Sequence, residues 1–369
     1  MNMNSDPKLS RFLYRDRKTF VGKVITVVDV GARYGCDPMW EHTFGDNVVQ
    51  HGFEPDPEEY KRLVEGKAKR NTKNSRYYPV ALHRNQGQKE FFFASYPAAS
   101  GFYKPDEYFW KRFQGEVATL TVRKEFIDTI DLDTFGIQHG IQHVDFLKID
   151  VEGAELDVLK GSMEYLRNSV LGVFTEVRFD NSSNSPTFAD TDYFMREMGF
   201  KLYDLQVNRN TRKTLSHLPV TLRGTTVPWG LSKGIGQVNS GDALYLRDAV
   251  AELTNPRTNH FDWNDENILK LTCFYELFSL QDCAIELLQH THKMGYLKAH
   301  PITQYCNLLT PDYDDDTVTY AEYLNKINID YSAKVADHYE TRWSHIALLL
   351  FRKMGLWRLS PAMYFRFRK

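Results

Sequence analysis

Val24-Ile25-Thr26-Val27-Val28-Asp29-Val30-Gly31-Ala32-Arg33-Tyr34-Gly35 is a β-branched run that ends in an acid and two glycines. Because the run does not alternate, it predicts a strand covered on both faces, as in a parallel sheet. Glycines at the carboxyl end of such a strand let the backbone pass close to a ligand, and a following helix offers free N–H groups. The turn therefore predicts a site for a nucleotide-like ligand. Its spacing is an acid followed by G-x-x-x-G, not the G-x-G-x-x-G of a dinucleotide turn. Asp29 would repel a pyrophosphate and suits a cationic portion of the ligand instead.

Outward from this strand the pattern repeats. Val48–Glu54 reads as a second strand, Arg76–His83 as a third, Val144–Asp150 as a fourth and Leu171–Val177 as a fifth. Helix-compatible sequence follows each, and Lys201–Val207 and Ala243–Arg247 read as closing strands. Strands and helices taking turns predict an α/β fold with a mostly parallel, doubly wound sheet. The second strand ends in Phe53-Glu54-Pro55-Asp56-Pro57. An acid there, about 20 residues past the glycine turn, is placed to grip a ribose diol. The plainer alternative is that Glu54 and Asp56 only cap the next helix. Between the third and fourth strands lies an aromatic insert, Lys89–Asp133, long enough to predict a functional lid.

Length and composition bound the rest. A single core stops growing near about 250–300 residues, so 369 residues predict a main domain with an appendage. Hydrophobic content of 42% and charged content of 25% exclude a disordered or collagenous chain. The four cysteines, Cys36, Cys273, Cys283 and Cys306, have no C-x-x-C pairing and read as reduced thiols. The net charge of −2 gives no field for nucleic acid, and no nucleic-acid partner is expected. That neutrality is a cancellation. Residues 341–369 carry seven basic residues and no acid, and removing those seven from 46 leaves 39 against 48 acidic residues. Trp343, Leu348, Leu349, Phe351, Trp357, Phe365 and Phe367 lie among these cations, a composition suited to an interfacial membrane helix. The alternative is a terminal helix packed on the protein with its arginines snorkelling. Neither a secretory leader nor a membrane span is recognisable, so the expected location is cytoplasmic, with peripheral contact at the inner face of the membrane as the tail's second reading. The acidic cluster Asp312, Asp314, Asp315 and Asp316, behind Thr310-Pro311, reads as a helix start.

At the fourth strand the sequence continues Lys148-Ile149-Asp150-Val151-Glu152-Gly153-Ala154-Glu155. With Asp29–Gly35, Phe53–Pro57 and Phe174–Phe179 in order, it resembles the FkbM-type S-adenosylmethionine-dependent methyltransferases. The likeness spans about residues 24–207, and Arg33-Tyr34 departs from it where the family usually has an asparagine and a small or variable residue. It implies a Rossmann-like class I methyltransferase fold over 24–248, the insert at 89–133 included; the lead-in over 1–23, a helical extension over 249–340 and the basic tail at 341–369 are read from composition and apolar spacing and lie outside the likeness. It further implies S-adenosyl-L-methionine as cofactor. Asp29, Gly31, Ala32 and Gly35 would line its methionyl and sugar side, Glu54 and Pro55 its ribose, and Ala81 its adenine, with Asp150 at the reactive centre. The implied reaction is O-methylation of a hydroxyl on a sugar, glycan intermediate or secondary metabolite. Candidates for the base are Asp150, Glu152 and His83, and for acceptor contacts Tyr103, Trp110, Glu176 and Arg178.

A positioned base is what the transfer needs, because the sulfonium methyl is already activated. Lys148 is expected to pair with a carboxylate, Glu176 being the candidate on the adjacent strand. No metal is expected; the alternative places Mg²⁺ on Asp150, Glu152 and Glu176. The rivals are a nicotinamide oxidoreductase, which the glycine spacing disfavours, and a non-catalytic scaffold of the same fold.

Overall fold

The computed structural model describes residues 3–16, 23–67, 70, 72–113, 116–180, 183–215, 220–222, 225–227, 231–232, 236–255 and 261–328. The strands are β1 Ile25–Val30, β2 Val48–Phe53, β3 Ser75–Tyr78, β4 Ala81–Leu82, β5 Gly87–Ala94, β6 Thr121–Ile130, β7 Phe146–Ile149, β8 Gly172–Arg178 and β9 Phe200–Asn210. They continue with β10 Val220–Leu222, β11 Thr225–Val227, β12 Leu231–Ser232 and β13 Gln237–Arg247. The eight-stranded main sheet runs β12-β9-β13-β8-β7-β1-β2-β3. From β3 through β8 the pairing is parallel, while β13 runs antiparallel to both β8 and β9. This is the mostly parallel, doubly wound α/β arrangement expected from the sequence. The chain leaves β1 in one direction toward β2 and β3 and returns on the other side through β7 and β8, so a crevice opens at the carboxyl ends of β1, β2 and β7.

Packing follows from the strand pattern. Val28 and Val30 of β1, Leu147 and Ile149 of β7, and Val173 and Val177 of β8 are buried in one cluster with Leu156, Leu159 and Phe200. Each fully buried side chain of this size contributes about 1.5–3 kcal/mol. At the opposite end of β7 from the crevice, Lys270 Nζ lies 2.9 Å from Asp145 Oδ1 and ties the helix Asp265–Leu277 to the sheet.

The third predicted strand divides in two. Pro79 has no N–H for the ladder, so β3 ends at Tyr78 in the main sheet while β4 joins a second sheet ordered β4-β6-β5. Much of the aromatic insert is thus an antiparallel β5–β6 ladder.

The described residues fall into two compact units that divide after Ile302. Within the second unit the acidic cluster is not a helix start. Tyr313 and Asp316 exchange backbone hydrogen bonds around Asp314 and Asp315, both at positive φ. The helix over 320–328 begins later, with the Thr319 amide and hydroxyl donating to Glu322. The basic tail, 341–369, lies outside the described residues. Among the described residues no helix is long and apolar enough to cross a membrane.

Candidate active site

Three acids converge on the crevice. Asp29 is the fifth residue of β1, and parallel register sets it opposite Gly52 of β2 and Lys148 of β7. Lys148 Nζ lies 3.1 Å from Asp29 Oδ1 and 3.4 Å from Asp150 Oδ2, and it donates to the Gly31 carbonyl. The expected Lys148–Glu176 pair is not formed. Register decides this, since Lys148 faces Phe174 on β8 and Asp29 on β1. Burial would lower the Lys148 pKa, but the two carboxylates outweigh it and hold the ammonium form. Burial raises the Asp29 pKa from its ordinary value, and Lys148 partly offsets that shift.

The turn after β1 is built around its glycines. Gly31 has φ of +80°, and a Cβ there would come 1.9 Å from the Asp150 carbonyl oxygen. Gly35 has φ of +95°, and a Cβ would come 2.3 Å from the Arg70 carbonyl oxygen. Only glycine fits either position. The amides of Gly31 and Ala32 donate to the Phe53 carbonyl, fastening this turn to the end of β2.

Glu54 follows β2 directly and is 5% exposed. Its Oε1 accepts the Asp56 amide at 2.9 Å, across Pro55, and burial pushes its pKa up to about 7. Asp56 is the residue that caps the helix Pro57–Val64, accepting the Glu58 amide at 3.0 Å. The capping alternative thus holds for Asp56, whereas Glu54 holds the turn and remains at the crevice. Arg33, at the position that departs from the family pattern, pairs with Asp56 at 3.2 Å.

A second carboxylate group stands at the ends of β7 and β8. One oxygen from each of Asp150, Glu152 and Glu176 lies within 4.8 Å of the others. Glu152 does not cap the helix that follows. That helix, Glu155–Lys160, has Ala154 as its N-cap and no side-chain cap bond; Glu155 instead ties the loop before it by accepting the amides of Val151 and Gly153 at 3.0 Å, while Glu152 Oε2 accepts from Arg178 at 2.8 Å. Burial raises Glu152 to about 7 against the pull of Arg178. Burial and then Glu152 raise Glu176 well above the carboxylate range, and its Oε2 has no hydrogen-bond partner among the described residues.

Other sequence candidates lie elsewhere. His83 and Tyr103 line a cavity of about 640 Å³ with Arg84, Phe102, Phe126 and Asp157, and neither Asp150 nor Glu152 belongs to its walls. There Asp157 accepts the Tyr103 hydroxyl at 2.8 Å, pairs with Arg84 at 2.9 Å and lies 3.6 Å from His83 Nε2. His83 Nδ1 accepts the Arg84 amide, and burial lowers the ring to about 4, so it is neutral. Trp110 is in neither place and packs with Phe109 and Phe113. Ala81 is buried in β4. Tyr34, between the two turn glycines, was no sequence candidate; its φ is +73° and its amide donates to Glu59 Oε1 at 3.1 Å.

Residues 29–202 match the sequence profile of the Methyltransferase FkbM domain. The chain is 26% identical over 161 residues to the 2-O-methyltransferase NoeI of Sinorhizobium fredii (strain NBRC 101917 / NGR234). That match covers 41% of this chain and spans 62% of the relative's length. Among solved structures, the chain is similar to the magnesium protoporphyrin IX methyltransferase ChlM of Synechocystis PCC 6803 with bound SAM. Identity is 8%, TM-score 0.28, and coverage 65% of this chain and 79% of that one. The fibrillarin pre-rRNA processing protein of Methanococcus jannaschii is similar at 9% identity and TM-score 0.31, covering 61% and 67%.

Proposed function

We propose that this chain is an S-adenosyl-L-methionine-dependent methyltransferase that acts on oxygen, its acceptor being a hydroxyl of a sugar, a glycan intermediate or a secondary metabolite. The observation that carries the reading is the placement of Asp29, Glu54 and Asp150 at the carboxyl ends of three adjacent parallel strands around a glycine turn. The name of the curated relative, a 2-O-methyltransferase, favours oxygen as the acceptor atom.

The residues fit such a cofactor chemically. Asp29, Lys148 and Asp150 carry one negative charge together when all are ionised, a suitable wall for a cationic ligand. Glu54 would accept two ribose hydroxyls on one carboxylate. Bound S-adenosylmethionine supplies a methyl group activated by its sulfonium. The chain's own task is then to align the acceptor and take its proton. Glu152 is our choice of base. Its pKa of about 7 lets it accept a proton near neutral pH, and Arg178 holds its carboxylate in place. Asp150, with its side chain 52% exposed, stands beside it for the acceptor. His83 is assigned a structural part, because both ring nitrogens face partners inside the other cavity. The insert would exclude water over the acceptor.

Isothermal titration with S-adenosylhomocysteine tests the reading. Wild type should bind, and Asp29→Ala and Glu54→Ala should each weaken binding about 10- to 100-fold, as expected for lost hydrogen bonds to a charged group. No binding by wild type, or equal binding by both variants, overturns it. The location proposed is cytoplasmic. Liposome co-sedimentation of the full chain against one ending at Glu340 tests the tail, equal recovery in the supernatant excluding membrane contact.

A further inference from the structure

The cavity around His83 and Tyr103 lies outside the proposed reaction, and a strand pairing that stops early creates it. β5 pairs with β6 along one edge. At its other edge the Phe92 amide donates to the Gly101 carbonyl at 2.9 Å, and the Gly101 amide donates back at 3.1 Å. Continued by two residues, that antiparallel pairing would set Tyr103 opposite Glu90. Tyr103 instead sends its hydroxyl to Asp157, 2.8 Å away on the helix Glu155–Lys160. The segment parts from β5 there. Residues 88–90 of β5 line the resulting cavity of about 640 Å³ together with Phe102, Tyr103 and His83.

Four wall residues are charged: Arg84, Lys89, Glu90 and Asp157. Asp157 is buried, and both its oxygens are engaged. Oδ2 accepts the Tyr103 hydroxyl, and Oδ1 lies 2.9 Å from Arg84 Nη2. Glu90 pairs with Lys124 at 2.8 Å. Lys89 has no ion pair and no side-chain hydrogen bond among the described residues, and Arg84 leaves Nη1 and Nε unengaged there. His83 adds no charge. Burial lowers its ring to about 4, and Lys89 and Arg84 reinforce this against Asp157. The cavity therefore holds one uncompensated cation beside a guanidinium with donors to spare. Phe126 also lines it, 69% exposed and in contact with no other ring among the described residues.

We infer that this cavity is a second ligand site, for an organic phosphate whose phosphoryl oxygens face Lys89 and Arg84 and whose carbon skeleton covers Phe126. An ammonium and a guanidinium together suit a phosphoryl group, the one as a point charge and the other by its planar fork. A metal cation is disfavoured, because both carboxylates of the wall are already paired and Lys89 repels it. Phe126 distinguishes an organic phosphate from the free ion, which would leave the ring in water. The site goes beyond the methyltransferase reading and does not depend on it, since neither Asp29, Glu54, Asp150 nor Glu152 lines this cavity.

The test is isothermal titration of the full chain with phenyl phosphate and, separately, with inorganic phosphate. Phenyl phosphate should bind about three- to tenfold more tightly, the range for partly covering one aromatic ring. Lys89→Gln should weaken both probes about three- to tenfold, as expected for one charged contact at a part-exposed site, and Lys89→Arg should keep most of the affinity. Phe126→Ala should weaken phenyl phosphate alone. Urea unfolding reports the folding of each variant without any ligand. No binding of phenyl phosphate to wild type, or equal binding by wild type and Lys89→Gln, overturns the site. Equal affinity for the two probes, or phenyl phosphate binding unchanged in Phe126→Ala, overturns the organic ligand. Titration of the same protein with S-adenosylhomocysteine tests the cofactor crevice separately, so either reading can fail alone.

Discussion

Lys148 and Asp29 face each other across β7 and β1, in register and 3.1 Å apart, with Lys148 also 3.4 Å from Asp150. Asp29 is 4% exposed, and Lys148 is the group that does most to hold its charge. Removing one member of a buried pair costs about 3–5 kcal/mol, whereas removing both can be nearly neutral. Lys148→Met should therefore lower the midpoint of urea unfolding strongly, and Lys148→Met with Asp29→Asn should recover most of the loss. Additive losses in the double variant would show that the pair does not act as a unit.

Glu54 links stability and binding to pH with opposite signs. Its carboxyl is raised from 4.5 to about 7 in the fold by burial. Between those values the unfolded chain has released this proton and the folded chain has kept it. The group's contribution to folding stability therefore falls as pH rises through that window and is level above it. Binding should run the other way, because ionised Glu54 is the better acceptor of ribose hydroxyls. Affinity for S-adenosylhomocysteine should rise from pH 6 to pH 8, and Glu54→Gln should flatten both dependences. Titration calorimetry and urea unfolding of the two proteins across this range provide the check.

The carboxylates Asp150, Glu152 and Glu176 are expected to leave Mg²⁺ unbound. Lys148 already pairs with Asp150 and Arg178 with Glu152, and the raised pKa of Glu176 favours its neutral form. A cation would have to compete with two ammonium or guanidinium groups already in place. EDTA should leave S-adenosylhomocysteine binding unchanged, and titration with MgCl₂ alone should give no binding heat. A saturating Mg²⁺ isotherm that Glu176→Gln abolishes would reverse this expectation.

Two glycines with similar backbone angles should respond differently to alanine. Gly66, at φ of +68°, has nothing within 4 Å of an added Cβ, while at Gly31 the Asp150 carbonyl oxygen lies 1.9 Å away. Gly66→Ala should cost about 1 kcal/mol from the left-handed conformation alone. Gly31→Ala must also displace the end of β7 and should lose S-adenosylhomocysteine binding. Parallel unfolding and titration of the two variants separate backbone strain from the collision.

Much of the candidate site could be read from single contiguous segments. Asp29 with Gly31 and Gly35, Glu54 behind Phe53, and Asp150 with Glu152 each end a β-branched or apolar run. A local pattern is enough to place such residues at strand ends. The split of the third strand was harder, because Pro79 announces a break but not which sheet receives Ala81 and Leu82. His83 and Tyr103 carried reactive side chains, yet Asp157 draws both into a different cavity.

By itself the sequence determined the alternation of strands and helices, the glycine turn and the acids around it, since these depend on residues adjacent in the chain. The tertiary structure decided which charges meet. Lys148 pairs with Asp29 because of β1–β7 register, and Glu152 with Arg178 across 26 positions of the chain. Such pairings depend on strand order and on backbone angles like the positive φ of Glu152, so they become definite only when the sheet closes distances that local periodicity does not encode.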